Sequence, residues 1–355
     1  MLARLNLNRI IEASSLLALL CTTILVYGPG LDSRFVLDDF YNLKDLDDVY
    51  TSGYLEFIFK SGFAGPTGRP LSLLTFALQY ESWPANPFAF KLINLVLHLI
   101  NGVIIFFICR LLSGLIFSSN TQRQLFCLAT TGFWLLHPIQ LTTTLYVIQR
   151  MTQISALFSL LGLLGYLHFR LRVNTVDNIK QYLILSVIVW FATCLALLSK
   201  ENGVLLPLLI LVTECTLLIN HPRPPSWNKW LAVVLVLPMV ILCITLLAGI
   251  NETLSGYAIR DFSLIERLLT QPRVLLEYFK NLIIPVPSAF GLYHDDFVIS
   301  RGPLDPPSTI ISILILLTVI IPSICFRKRL PVVSFSVLWF FAGHILESSF
   351  LNLEL

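Results

Sequence analysis

The chain has 355 residues, of which 56% are hydrophobic and 13% charged, and its mean hydropathy is +0.79. A soluble domain carries about 25% charged residues, so this composition excludes a water-soluble protein and predicts one embedded in a lipid bilayer. The formal net charge of +3 gives no reason to expect nucleic acid as a partner. The seven cysteines fall within or beside apolar runs, and their spacing matches no disulfide framework or zinc site.

Apolar runs of about 20 residues, long enough to cross a bilayer, recur along the chain. Arg4 and Arg9 precede the first run and no small-residue cleavage site closes it, so we expect a retained span and not a removed signal peptide. The pattern predicts an all-α polytopic membrane protein with a single transmembrane domain over residues 1–355. Its spans, about nine in number, cover roughly residues 10–28, 88–112, 124–138, 151–170, 181–198, 203–219, 230–249, 308–325 and 331–347.

The basic residues of the short loops predict the orientation. With the N-terminus in the cytoplasm, every cytoplasmic segment is basic, as the positive-inside rule requires. These segments carry Arg4 and Arg9; Arg110 and Arg123; Arg170, Arg172 and Lys180; Arg223 and Lys229; and Arg327, Lys328 and Arg329.

Two long loops, 29–87 and 250–307, fall on the opposite, extracytoplasmic side. Both are longer than the connections require, and such loops are usually functional. Residues 54–59 and 71–78 in the first loop, and 264–269 and 274–279 in the second, have the pattern of short amphipathic helices lying in the membrane interface.

An acidic pair, Asp38 and Asp39, directly follows the first span. Adjacent carboxylates at the membrane surface can act as a general base, as metal ligands or as an electrostatic anchor. The alternative is an ordinary solvated turn or helix cap, where Asp is common. The bulky neighbours Phe35 and Phe40 favour a site over a plain solvated loop.

Four polar residues of the second span, Lys91, Asn94, His98 and Asn101, are spaced so that they share one helical face. A polar stripe inside a span faces protein or a water-filled cavity. It therefore indicates either interhelical hydrogen bonding or part of a site, and Lys91, near the outer end, is placed to meet an anionic head group.

Cations are rare on the outer side, so Arg69, Lys91, Arg150 and Lys200 stand out there. Together they suit a phosphate or pyrophosphate, to which arginine donates bidentate hydrogen bonds. Local ion pairing, such as Lys200 with Glu201, is the alternative.

Other polar residues lie on the same predicted side. His137 ends the third span, and Gln149 precedes Arg150 at the start of the fourth. In the second long loop, His294 and Asp295 have the chemistry to bind a metal or a sugar hydroxyl, but their spacing is not diagnostic and a solvated loop is the favoured interpretation.

Segments along nearly the whole chain resemble the GT-C superfamily of polyprenyl-phosphate-sugar glycosyltransferases. The resemblance is strongest to the branch that contains transmembrane O-mannosyltransferases with tetratricopeptide repeats and bacterial pilin glycosyltransferases. The segments that carry it are residues 35–39, 68–76, 90–98, 137–140, 149–152, 199–203 and 343–349. Members of the branch continue beyond the region of Glu347, so this chain is expected to be either a fragment or a short member.

The resemblance implies a catalytic carboxylate in the first extracytoplasmic loop, Asp38 or Asp39, with Asp39 favoured. The donor would be a sugar on a polyprenyl phosphate, and the acceptor a Ser or Thr hydroxyl of an exported protein such as a pilin. No cofactor is required; a divalent metal is optional, and Asp38 and Asp39 would be its ligands. The enzyme would lie in the lipid bilayer of a bacterial inner membrane, with its active site on the periplasmic face.

The resemblance also implies roles for the other polar residues of the outer side. Donor phosphate binding falls to Arg69, Arg150, Lys200 and Lys91, and substrate binding to His137, Gln149, Glu201, His98, His294 and Asp295. Two other functions stay open: a transferase that modifies a glycan or lipid A, and a transporter or flippase of lipid-linked sugars. A transporter would show midplane charges and inverted repeats, whereas here most charges lie at the ends of the spans and no inverted repeat is visible.

Overall fold

The computed structural model describes residues 2–62, 64–65, 67–286, 290–291 and 297–353. Across these residues every regular element is a helix. Among them, six helices are long and apolar enough to cross a membrane: Ile10–Gly30, Pro87–Ile116, Val147–Arg170, Ile179–Leu197, Trp227–Ala248 and Ser308–Cys325. The chain is therefore an all-α membrane protein, as its composition predicts.

The other three predicted spans are also helical; the helix at 124–138 is slightly longer than predicted, and the other two are shorter. Residues 124–138, 203–219 and 331–347 correspond to helices of 17, 10 and 14 residues. At 1.5 Å per residue these helices are about 26, 15 and 21 Å long, less than the roughly 30 Å of a bilayer core. Helix ends that hydropathy does not mark account for the difference, because Glu201–Leu205 forms a 3₁₀ turn before the second of them.

The chain divides into two compact units. The first unit comprises residues 1–170 and 187–204, and the second comprises residues 171–186 and 205–355. The helices of the first unit are α1 (Leu2–Tyr27), α2 (Asp38–Leu43), α3 (Asp48–Ser52), α4 (Tyr54–Glu56), α5 (Pro70–Ala77), α6 (Pro87–Ile116), α7 (Asn120–Leu136), α8 (Gln140–Leu145) and α9 (Arg150–Arg170). The next helix, α10 (Ile179–Leu197), contributes residues to both units.

The first long loop is a packed cap with its own hydrophobic core. Its helices α2 to α5, with a π-helical stretch Phe57–Ser61 after α4, bury apolar side chains against α6 and the start of α9. Leu43, Leu46, Phe57, Leu73 and Phe76 are completely buried there. This packing fixes the position of the acidic pair, because α2 carries both aspartates.

The predicted polar stripe of α6 is confirmed as a buried face. Its four side chains are at most 1% exposed. Each binds main-chain carbonyls of another segment, an arrangement that satisfies polar groups inside a bilayer. Lys91 donates to Ser33 and Arg34, Asn94 to Tyr146 and Val147, and Asn101 to Gln153, while His98 pairs with Leu135.

The second unit contains a long amphipathic helix where the sequence predicts two short ones. Its helices are α11 (Leu206–Cys215), α12 (Trp227–Leu231), α13 (Leu237–Ala248), α14 (Ile250–Gly256), α15 (Leu264–Ile283), α16 (Ser308–Cys325) and α17 (Pro331–His344). In α15, Ser263 and Glu266 form a capping box, and Pro272 lies inside the helix without ending it. Exposed Ile265 and Ile283 lie at the two ends of α15, consistent with an interfacial helix.

Candidate functional site

Asp39 joins the first loop to the start of α9. Leu37, just before α2, has a φ of +42°, a conformation uncommon outside glycine. The Asp39 side chain is 0% exposed. Its Oδ2 accepts a hydrogen bond from the Val36 N–H at 3.0 Å, and its Oδ1 accepts one from the Ile148 N–H at 2.8 Å. The carboxylate therefore fixes the geometry of the turn that presents α2.

The environment of Asp39 changes its acidity. Burial raises the pKa of Asp39 to about 6, although the Val36 and Ile148 hydrogen bonds and the Lys91 charge oppose that rise. The Lys91 ammonium donates to the carbonyl oxygens of Ser33 at 2.7 Å and Arg34 at 2.9 Å. Lys91 is thus bound to the backbone that leads into the acidic pair.

Asp38, in contrast, is exposed. Its backbone N–H donates to the Tyr146 hydroxyl oxygen at 2.8 Å, a contact between residues 108 positions apart. Burial, followed by the charges of the Asp38 and Asp39 carboxylates, raises the pKa of Tyr146, so this hydroxyl stays protonated and can donate. Sequence reasoning did not single out Tyr146, because a tyrosine near a membrane surface is common and the contact is long-range.

Arg150 is a completely buried link between three segments. Its guanidinium donates to Asn94 Oδ1 at 2.9 Å, to the Thr75 carbonyl at 3.1 Å and to the Phe90 carbonyl at 2.8 Å. Its Cζ also lies 4.5 Å from the centroid of the Phe76 ring. These contacts give Arg150 the environment of a structural residue, which differs from the accessible phosphate ligand that the sequence predicts.

Arg69 is paired with Glu201. Its Nη2 lies 2.8 Å from Glu201 Oε2, and its Nε is 3.1 Å from the same oxygen. Thr67 Oγ1 donates a further hydrogen bond to Glu201 Oε1 at 2.7 Å. The remaining nitrogen of Arg69, Nη1, makes only a weak hydrogen bond to Met151 Sδ at 3.3 Å. Burial alone would raise the pKa of Glu201, but the hydrogen bonds from Arg69 and Thr67 lower it. The lowered pKa keeps Glu201 in the ionised form that pairs with Arg69.

Lys200 is half-buried and belongs to a short chain of hydrogen bonds. Its Nζ donates to Thr152 Oγ1 at 2.9 Å. The Thr152 hydroxyl in turn donates to Gln149 Oε1 at 2.7 Å. The predicted phosphate ligand Lys200 and the predicted substrate ligand Gln149 are thus connected through one threonine.

Most of these contacts meet on residues 146–152, which we call the 146–152 segment. Tyr146 contacts Asp38, and Ile148 contacts Asp39. In the same segment Met151 contacts Arg69 and Thr152 contacts Lys200. The structure therefore brings the acidic pair, two outer cations and Gln149 together around seven consecutive residues of the first unit.

The predicted histidines lie elsewhere in the bundle. His98, seven residues beyond Lys91 and so about 10 Å further along α6, pairs through Nε2 with the Leu135 carbonyl at 2.9 Å and stacks on Trp134. His137 is 4% exposed, and its Nδ1 accepts the Ile139 N–H at 3.1 Å. His294 and Asp295 lie outside the described residues.

The residues fit a metal ion poorly. In the part of the chain that the structure describes, no three His, Cys, Asp or Glu side chains are grouped so that they could hold one. Asp39 is fully buried and each of its oxygens already accepts a main-chain N–H, so the pair does not present two accessible carboxylates. The acidic pair therefore lacks the donor set that a metal ion requires.

Curated relatives of the chain are protein O-mannosyl-transferases. The chain is 28% identical to human protein O-mannosyl-transferase TMTC3 over 187 residues, which are 50% of this chain and 19% of that protein. It is 26% identical to human TMTC1 over 193 residues, 51% of this chain and 21% of the relative. For the fruit-fly Tmtc3 the identity is 25% over 237 residues, 59% of this chain and 25% of the relative.

The chain thus spans about a fifth to a quarter of the length of these relatives. No protein-family model matches it. No solved structure matches it either.

Proposed function

We propose that the chain is a membrane-embedded glycosyltransferase of the GT-C type. It transfers a sugar from a polyprenyl-phosphate donor to a Ser or Thr hydroxyl of an exported protein. The similarity to protein O-mannosyl-transferases supports the reaction class. One observation carries the proposal: exposed Asp38 and buried Asp39 both hydrogen-bond to the 146–152 segment. The same segment also contacts Arg69 and Lys200.

Burial changes our preference within the acidic pair. The sequence favours Asp39 as the catalytic base, but Asp39 is 0% exposed and both its oxygens hold backbone N–H groups. A base must lie within hydrogen-bonding reach of the hydroxyl that it deprotonates. We therefore assign the base to exposed Asp38 and treat Asp39 as the positioning residue that holds Asp38 against the 146–152 segment.

The reaction then follows from the placement of these groups. The acceptor hydroxyl oxygen attacks the anomeric carbon of the donor sugar and forms the new glycosidic bond, while the bond from that carbon to the phosphate oxygen breaks. Asp38 takes the hydroxyl proton, and the bonding electron pair leaves with the polyprenyl phosphate. Nearby cations stabilise the negative charge that builds on this leaving group.

We assign those cations to Arg69 and Lys200. Both side chains are partly accessible, whereas Arg150 and Lys91 are at most 1% exposed and donate to main-chain or amide oxygens of the protein. The Nη1 of Arg69 donates to the weak acceptor Met151 Sδ, so it is the Arg69 nitrogen most easily turned toward a phosphate. Gln149 then holds Thr152 in place, and Glu201 holds Arg69.

The cellular setting is part of the same proposal. We place the protein in a bacterial inner membrane, with its N-terminus in the cytoplasm and Asp38 on the periplasmic side. The basic short loops support this orientation through the positive-inside rule. A pilin is an exported acceptor of the required kind.

The proposal is tested with the full chain reconstituted in proteoliposomes containing a radiolabelled polyprenyl-phosphate mannose and a Ser/Thr-containing peptide. We expect label on the peptide, and a loss of 100-fold or more, on the order expected for a general base, in Asp38→Asn. Asp32→Asn, which changes another exposed aspartate of the same loop, should keep wild-type activity. Movement of intact donor across the bilayer without sugar release would contradict the proposal and indicate a flippase, and label on lipid or glycan instead of peptide would contradict the protein acceptor.

A further inference from the structure

A groove of about 460 Å³ lies between α6 and α9 in the first unit. Its walls are mainly apolar and include Phe107, Leu161 and Leu164. Phe107 is 46% and Leu161 43% exposed, so the groove opens on the outer surface of two helices that are long enough to span a membrane. The medium that it meets is therefore lipid.

The groove has a polar end formed by Arg110 and His168. Both side chains are exposed. The Arg110 guanidinium is paired with Glu12 of α1, yet 47% of its side chain stays exposed, against 14% for Glu12. A guanidinium has five N–H donors, so Arg110 keeps donors for a second anion.

The polar end lies far from the acidic pair. Lys91, which contacts the first loop, and Arg110 belong to the same continuous helix α6. The rise of an α-helix puts them about 28 Å apart along the axis, close to the thickness of a bilayer core. The groove therefore belongs to the leaflet opposite Asp38, where a substrate at Asp38 does not reach it.

We infer that this groove binds an anionic glycerophospholipid. An acyl chain lies along Phe107, Leu161 and Leu164, and the phosphate accepts hydrogen bonds from Arg110 and His168. Basic sites between membrane helices are a recurring way of holding anionic head groups. The described residues that line the groove include no carboxylate, and Glu12 is engaged with Arg110 and only 14% exposed, so the cationic choline or amine of a zwitterionic lipid meets little negative charge there.

The charge of the polar end supports the same lipid class. Near the head-group level each cation contributes roughly 1 kcal/mol to anionic lipid binding, and Arg110 is the exposed arginine that lines the groove. The inference concerns a binding site that is separate from the sugar-transfer chemistry and does not depend on the proposed function.

Native mass spectrometry of the purified full chain tests the inference. The protein is titrated with phosphatidylglycerol and phosphatidylcholine of identical acyl chains, and we expect tighter retention of phosphatidylglycerol. Arg110→Gln should weaken phosphatidylglycerol binding about fivefold and leave phosphatidylcholine unchanged. The matched control is Arg172→Gln, which removes an exposed cation that does not line the groove and should have a smaller effect.

Two further variants keep the test decisive if Arg110→Gln, which leaves Glu12 without its partner, does not fold. Glu12→Gln frees the guanidinium and should strengthen phosphatidylglycerol binding, while Leu164→Phe narrows the groove and should weaken it. Equal retention of the two lipids by the wild type, or equal losses in Arg110→Gln and Arg172→Gln, would overturn the inference. An unchanged affinity in Glu12→Gln together with Leu164→Phe would overturn it as well.

Discussion

Replacing Arg150 tests whether this residue holds the cap together or binds the donor. In Arg150→Met the side chain keeps much of its length but loses all donors. Three acceptors are affected: the Thr75 carbonyl, the Phe90 carbonyl and Asn94 Oδ1. The Phe90 carbonyl lies inside α6 and keeps its helical hydrogen bond, so losing its bond to Arg150 costs little free energy of unfolding.

The cost falls on the other two acceptors. Thr75 lies in the last turn of α5, where a carbonyl has no partner within the helix, and Asn94 Oδ1 is fully buried. A buried acceptor left without a partner costs about 1–3 kcal/mol, which makes about 2–6 kcal/mol for two. Relief of a buried charge offsets part of this cost, so we expect a loss of about 2–4 kcal/mol in the free energy of unfolding.

The assay is thermal unfolding of the purified protein in detergent, combined with donor binding. For Arg150→Met we expect a fall in Tm on the order of 5–10 °C. Arg150→Lys should fall by less, because one ammonium keeps the charge but cannot reach all the acceptors of the planar guanidinium. Arg172→Met, at an exposed arginine, should leave Tm unchanged. An unchanged Tm together with a large loss of donor affinity in Arg150→Met would refute the structural role. That result would show that Arg150 binds the donor phosphate, as the sequence predicts.

Three other predictions concern the same region. Burial raises the pKa of Asp39 from an ordinary 3.8 to about 6. Between pH 3.8 and about 6, Asp39 therefore carries a proton in the folded state that it has lost in the unfolded state. The wild type should therefore lose about 3 kcal/mol of stability as pH rises from about 4 to about 6, and a difference titration against Asp39→Asn should show this loss; parallel pH profiles would contradict it. Lys91→Met removes the ammonium that binds two first-loop carbonyls, so limited proteolysis should cut that loop faster, and an unchanged cutting rate would count against the anchor. Glu201→Gln weakens the pair with Arg69 and should cost about 1 kcal/mol, with the difference vanishing as pH falls below the lowered pKa of Glu201; a difference that persists in acid would argue against the ion pair.

The buried polar face of α6 could be predicted from the sequence. Residues spaced by three and four positions must share a helical face, and a bilayer leaves such a face no choice but protein or water. The lengths of α11 and α17 could not be predicted as well, because hydropathy shows that a run is apolar but not where its helix begins or ends. Helix α11 begins later and ends earlier than predicted, and α17 begins at the predicted residue but ends earlier. The 3₁₀ turn Glu201–Leu205 includes residues 203–205, which an apolar count assigns to the span.

The residues of the candidate site can be named from the sequence, but how each of them is buried and paired cannot. Arg69 and Arg150 look alike in the sequence, since each is a rare cation of the predicted outer side next to an apolar run. Their difference lies in acceptors 60 and 75 positions away from Arg150, the carbonyls of Phe90 and Thr75. The two aspartates also look alike in the sequence. Asp39 is buried against the 146–152 segment, which is distant in the chain, whereas Asp38 is exposed.

The most direct measurement is an experimental structure of the full chain with a non-hydrolysable polyprenyl-phosphate sugar bound. The account predicts the phosphate oxygens within about 3 Å of Arg69 and Lys200, and the anomeric carbon facing the Asp38 carboxylate. A phosphate held elsewhere in the first unit, with Asp38 facing only solvent, would contradict it.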